Sequence, residues 1–365
     1  MFRSKVLREI EGWHGRGLIE ADVASRLSDD VRSRFKAFSF ASVLGLLAAI
    51  LLGAAVLTFV AANWEQVPRL GRVGAIGAII AAGPLLGAWL EARGHGLIGE
   101  GARLVGSAGF GAGIALVGQM YHLSGDEAAA VLVWCAGTGL AALLTRSKAL
   151  TIGAIILAAT YLAMATGLLW SVPGFPWLYP GLLAALWALA LWTDSVGARR
   201  LLVLALIHYG FHLWIDSDLA IVPMVMLLLS AGLLAAAAWR PEATDRALRL
   251  GGAAGFLGLV GFTASLFLLH WMFSDEPVAF VVVALIGLVG AVASLWTLGA
   301  DDRAVRVGAY VLFALEVVLV YFITVGGLIG TAAFFLSASV VLALAAFIIL
   351  RLERRMAARR SEGGA

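Results

Sequence analysis

The sequence predicts an all-α, polytopic transmembrane helix bundle of about twelve spans with both termini in the cytoplasm. Three observations predict it. A mean hydropathy of +0.96 with 13% charged residues departs from a soluble domain, where roughly a quarter of residues are charged. Apolar runs of about 18 residues or more, each long enough to cross a bilayer, recur between residues 38 and 350. When those runs are counted as spans, the basic residues fall almost entirely on one side.

In order, the spans are 38–62, 73–90, 102–121, 128–145, 149–170, 177–193, 201–216, 219–239, 250–272, 278–298, 305–325 and 328–350. With the N-terminus inside, eight Lys and Arg lie in the N-terminal segment, eleven in the inner loops and five in the tail RLERRMAARR. Only Arg69 and Arg72, of 26 basic residues, remain outside. The outer loops instead carry Glu65, Asp126, Glu127, Asp216, Asp218, Asp275 and Glu276. A missed span would invert everything after it, so the asymmetry supports both count and orientation. Trp89, Trp192, Trp239 and Trp296 close spans at inner ends, and Trp64, Trp170, Trp177, Trp214 and Trp271 mark outer ends, as an aromatic belt requires. An inner tryptophan followed by an Arg-closed loop recurs. That suggests a two-helix repeat, but belt and charge rule generate the same pattern unaided.

Four regions follow. Residues 1–37 read as a cytoplasmic hairpin of two amphipathic helices, 2–14 and 18–35, broken at Gly15 and Gly17. The hairpin is too small for an independent core, and eight bases against six acids give no concentrated basic face for nucleic acid. Juxtamembrane packing or docking of a protein partner is expected there. Residues 38–145 form a four-helix membrane region, and 146–350 supply eight further spans. The basic tail, 351–365, is expected to meet anionic lipid headgroups or to serve as a plain topology anchor. The first apolar run begins after 37 polar-rich residues, which predicts no cleaved leader.

No loop leaves room for a soluble catalytic domain, so chemistry must use helix interiors, helix ends or short turns. GFGAG at 109–113 follows no strand, and the phosphate-cradle reading fails on that context. Gly109 and Gly113 instead form a GxxxG contact motif. Pro84 removes a helix-interior donor and is expected to kink the second span. The lone Cys135 rules out an intrachain disulfide and a cysteine-based zinc site. No cofactor or metal is expected.

The stretch VLTFVAANWEQVPRLGR, followed by GAGIALVGQMYHLSGDEAAAVLVWCAGTG, resembles a bacterial predicted-membrane-protein family, domain of unknown function 2157. The resemblance covers roughly residues 1–150, including GLIEADVASRL. It implies a polytopic protein of the bacterial inner membrane, and it singles out Asn63, Trp64, Gln119, Tyr121, His122, Gly125, Asp126 and Trp134. By the topology above, all but Trp134 lie near the outer ends of the first and third spans. Polar groups at that depth need one another, so Asn63, Trp64, Gln119, Tyr121, His122 and Asp126 form a candidate outer cluster. An asparagine cap, an interhelical hydrogen bond and an interfacial turn would account for the same residues structurally.

Ionisable residues also lie deeper. Glu316 sits near the centre of the eleventh span and His208 near the centre of the seventh. A bare carboxylate there would be neutralised or paired. In LIHYGFHLWIDSD, His208, His212 and Asp216 share one helical face. They lie at midplane, about 6 Å further out and about 12 Å further out. His208, His212, Asp216 and Glu316 are therefore a candidate proton or ion path. A helix end meeting water explains the ladder equally well, and a two-histidine pair alone does not make a metal site. Three function classes stay open. The first is a protein that binds or translocates a small solute or ion. The second is a membrane-embedded enzyme acting on a lipid-linked substrate at the outer face. The third is a scaffold or sensor.

Overall fold

The computed structural model describes residues 2–34, 67–120, 126–166 and 177–325, with single positions at 339, 343 and 347. The expected first span, most of the twelfth, the basic tail, and Asn63, Trp64, Tyr121 and His122 lie outside them. The described residues form thirteen helices and no strand. The chain divides into two units, Met1–Arg72 and Val73–Ala365.

In the first unit, α1 (Phe2–Gly15) and α2 (Ala21–Arg34) pack against each other. The reversal between them places Gly17 at φ +71, a left-handed conformation that costs glycine little. Leu18 N–H then closes onto Trp13 O at 3.0 Å, and Ala24 N–H onto Glu20 O at 2.9 Å. The Asp22–Arg26 pair, 2.5 Å apart, is exposed and is screened by solvent.

Next come α3 (Arg69–Ala92), α4 (Gly96–Met120), α5 (Glu127–Thr145), α6 (Lys148–Ala165), α7 (Tyr179–Trp192), α8 (Val196–Ser217) and α9 (Ile221–Trp239). A short amphipathic α10 (Pro241–Leu248) precedes α11 (Ala254–Met272), α12 (Pro277–Thr297) and α13 (Arg303–Val325). Within the second unit, helices α5 to α8 bury one core around Leu150, Ile155, Leu162, Leu186 and Leu202. Helices α11 to α13 bury another around Phe262, Leu266, Ala291 and Leu312, and α9 packs along α11. α3 runs unbroken through Pro84 and lies directly on α4. A Cβ built at Gly83 would stand 2.6 Å from Gly106 Cα, so the two backbones touch where both residues lack side chains.

Among the described residues, eight helices are long and apolar enough to cross a membrane: α3, α4, α5, α6, α9, α11, α12 and α13. Of the ten expected spans inside the described residues, two differ. α7 has 14 residues, about 21 Å of helix against a hydrocarbon core of about 30 Å. α8 has 22 residues but begins VGARR and ends with His208, His212 and Asp216, which dilute its apolar character. Trp89, Trp192, Trp239, Trp271 and Trp296 are all exposed near helix ends, which suits an interfacial belt.

The arginine-rich turns have structural duties. Arg146 and Asp194 adopt the left-handed conformation at φ 50 and 47, and Ser147 and Ser195 cap the helices that follow. Arg199, 2% exposed, donates to Arg249 O at 2.8 Å and Ala190 O at 3.0 Å. Arg200 donates to Leu250 O and Gly251 O, each at 2.8 Å, tying the α7–α8 turn to the start of α11. Arg103 pairs with Glu91 and Glu100, while Glu100 accepts from Ser147 Oγ and from Ala149 N–H at 3.2 Å. Glu100 thus caps α6 from a neighbouring helix. Glu100→Ala is expected to lower stability by about 1–2 kcal/mol, read as an earlier thermal unfolding midpoint in detergent. A midpoint equal to wild type would mean that this cap holds nothing.

Candidate functional site

A buried pair of ionisable side chains lies among α11, α12 and α13. Glu316 stands about 20 Å along α13 from Arg303 and is 1% exposed. Its Oε2 lies 2.8 Å from His270 Nε2 on α11. α12 closes the site from the third side. Gly287 leaves the room that the carboxylate occupies, since a Cβ there would lie 2.5 Å from Glu316 Oε1. Phe280 covers the imidazole, with ring centroids 4.2 Å apart. His270 Nδ1 is buried with no hydrogen-bond partner among the described residues. In the sequences of α9, α11, α12 and α13 the only Asp, Glu, Lys, Arg or His besides this pair are Arg303 and Arg306 at the start of α13. On these four helices the carboxylate and imidazole therefore face each other with no other charged side chain beyond the first turn of α13.

A carboxyl and an imidazole at this distance can form a net-neutral pair in two ways, acid with imidazole or carboxylate with imidazolium. Adding or removing a proton leaves a net charge. In a dry bilayer interior that is costly, and contact with water relieves it.

The His208 stripe meets a different partner. His212 is 1% exposed, and its Nδ1 lies 2.6 Å from Thr166 Oγ1 at the end of α6. The His208 ring meets it edge-on at a centroid distance of 4.5 Å. His208 is half-buried and Asp216 is exposed near the end of α8. The stripe thus begins in the bundle and ends at its surface. Glu316 and His212 each bond to other groups, His270 and Thr166, and α11 packs against both α8 and α13.

Of the expected outer cluster, the described residues include Gln119 and Asp126. Gln119 is exposed on α4. Asp126 caps α5, accepting from Ala128 N–H at 2.9 Å. Beside Asp126 a cavity of about 970 Å³ opens between α3, α4 and α5, with Val73, Ile80, Phe110, Leu116 and Trp134 in its walls. Trp134 Nε1–H donates to Ser107 O at 2.8 Å, which fixes the ring against Gly111. Cys135 donates to Ala154 O at 3.2 Å in a packed core, a structural position. Among the described residues no three His, Cys, Asp or Glu side chains group as metal ligands would.

Residues 11–151 match the model of a family described as a predicted membrane protein, DUF2157. The matched segment runs from α1 into α6 and contains the whole cavity, whereas the Glu316–His270 pair lies outside it. No curated protein and no solved structure matches the chain.

Two partners escaped the sequence reading. His270 follows LFLL and precedes Trp271, so it reads as an interfacial residue. The need of Glu316 for a partner was the signal that pointed to it, because a membrane-buried acid must pair. Thr166 carried no signal, because a threonine at a helix end most often bonds its own backbone. It does that as well, donating to Leu162 O at 2.8 Å.

Proposed function

We propose that this protein moves a small solute or ion across the bacterial inner membrane and that the Glu316–His270 pair binds and releases the proton coupled to that movement. The observation that carries the reading is a carboxylate and an imidazole 2.8 Å apart, both buried, at the junction of three membrane helices. Ionisable side chains in this position are expensive and serve ion pathways more often than packing. A purely structural tie needs no titratable group, since amide or hydroxyl pairs join membrane helices for about 0.6 kcal/mol on average. The net charge of the pair changes with proton occupancy. A conformational cycle that alternately wets and dries the site would therefore drive uptake and release. His208, His212 and Asp216 are the candidate approach from the outer surface, with both termini in the cytoplasm as the distribution of basic residues predicts.

The test is proton movement in vesicles. Purified full-length protein, reconstituted with a pH-sensitive dye inside, should dissipate an imposed pH gradient faster than protein-free vesicles. Glu316→Gln keeps the shape and the bond to His270 but removes the titrating acid, and should return the rate to that of empty vesicles. His270→Phe should do the same, whereas Asp216→Asn should only slow entry. Wild-type flux in Glu316→Gln, with equal incorporation, would remove the pair from the mechanism. No flux from wild type above empty vesicles would remove the reading altogether.

A further inference from the structure

We infer that the cavity between α3, α4 and α5 is a binding site for a monovalent cationic amphiphile, a quaternary ammonium or phosphonium carrying an aromatic or alkyl body. Its volume, about 970 Å³, is at the upper end of the range for small-molecule sites, roughly 300–1,000 Å³. The walls are aliphatic and aromatic, and the charged residues lining them are Asp126 and Glu127. Among the described residues, no Lys, Arg or His lines the cavity.

The charge complementarity selects the occupant. Among the described lining residues, an anion entering here would meet two carboxylates and no basic side chain. A cation gains from both carboxylates at the mouth, and they act more strongly at an apolar margin than in bulk water. It gains again from the face of Trp134, the aromatic ring best suited to a cation. Trp134 is held in place before a ligand arrives, because its N–H is committed to Ser107 O at 2.8 Å and a Cβ at Gly111 would lie 2.5 Å from its ring. A tightly hydrated ion such as sodium would leave the aliphatic walls unused. A large, weakly hydrated cation with an apolar body fills the site and meets its charge.

This inference does not rest on the proton reading, since the cavity and the Glu316–His270 pair lie on different helices. The probe pair is tetraphenylphosphonium and tetraphenylborate, which share size and shape and differ in charge. Equilibrium dialysis on detergent-purified full-length protein should show saturable binding of the phosphonium at least about tenfold tighter than that of the borate. The Asp126→Asn, Glu127→Gln double variant should erase that difference, and the asparagine keeps the helix cap. Ala130→Trp, which fills the cavity from α5, should abolish binding of both ions. Glu316→Gln should bind the phosphonium as wild type does. Equal affinity for the two ions would make the cavity a groove for lipid chains and overturn the inference. Saturable binding to neither, or phosphonium binding unchanged in Ala130→Trp, would overturn it as well.

Discussion

Replacing Gly287 with alanine is expected to break the Glu316–His270 bond. An added Cβ would stand 2.5 Å from Glu316 Oε1, 2.6 Å from Cδ and 2.9 Å from Cγ, closer than atoms can pack. The carboxylate would have to leave, and around it lie a packed core and the imidazole it pairs with. Overpacking of this kind costs about 1–3 kcal/mol, and the displaced acid would also leave His270 buried without its partner. Gly287→Ala should therefore lower the unfolding midpoint and abolish pH-linked flux together. The same alanine should be nearly free in a Glu316→Ala background, where the obstructing carboxylate is gone. That non-additivity, measured in a double-mutant cycle, separates contact with Glu316 from a general effect on α12. Additive costs would mean that Gly287 is small for some other reason.

Gly83→Leu should have a larger effect on folding. A Cβ there would lie 2.6 Å from Gly106 Cα and 2.9 Å from both Ala102 O and Gly106 N. These are backbone atoms and cannot swing aside as a carboxylate can, so α3 and α4 would have to separate. A cost of about 3 kcal/mol or more is expected, seen as loss of monodisperse protein after extraction. Gly74 is the control on the same helix. Nothing lies within 4 Å of a Cβ there, so Gly74→Leu should stay within about 0.5 kcal/mol of wild type. Equal yields of the two variants would contradict the close approach of α3 to α4.

How much of this was legible in the sequence depends on which physical rule each feature obeys. The membrane helices follow from apolar length alone: the eight that are long and apolar enough to cross a bilayer each fall on an expected span, while α7 is too short, α8 too polar and α10 lies in an expected loop. The interfacial tryptophans follow from the same one-dimensional pattern. GxxxG spacing pointed to a close helix contact on α4, and Gly109 does meet Ile79 of α3. What sequence spacing could not supply was the identity of partners between distant helices. Glu316 was recognisable as a group in need of one, yet six histidines were available. Only the packing of α11 against α13 selects His270. The duties of Arg103, Arg199 and Arg200 were hidden for the same reason. A charge count reads them as topology signals, whereas their backbone and carboxylate acceptors come from neighbouring turns. The cavity was also invisible, because it is a property of three helices together and its apolar walls look like any other lipid-facing residues.

The central claim is that Glu316 and His270 gain and lose a proton as one unit. Infrared difference spectroscopy of the reconstituted protein, perfused alternately with acidic and alkaline buffer, reads that event directly through the carboxylic C=O stretch of a buried acid. The account predicts a pH-dependent band that is absent in Glu316→Gln and shifted in frequency in His270→Phe, since the imidazole is its hydrogen-bond partner. A spectrum in which Glu316→Gln is indistinguishable from wild type at every pH would contradict it. The pair would then be a fixed tie between α11 and α13 and not a site of proton exchange.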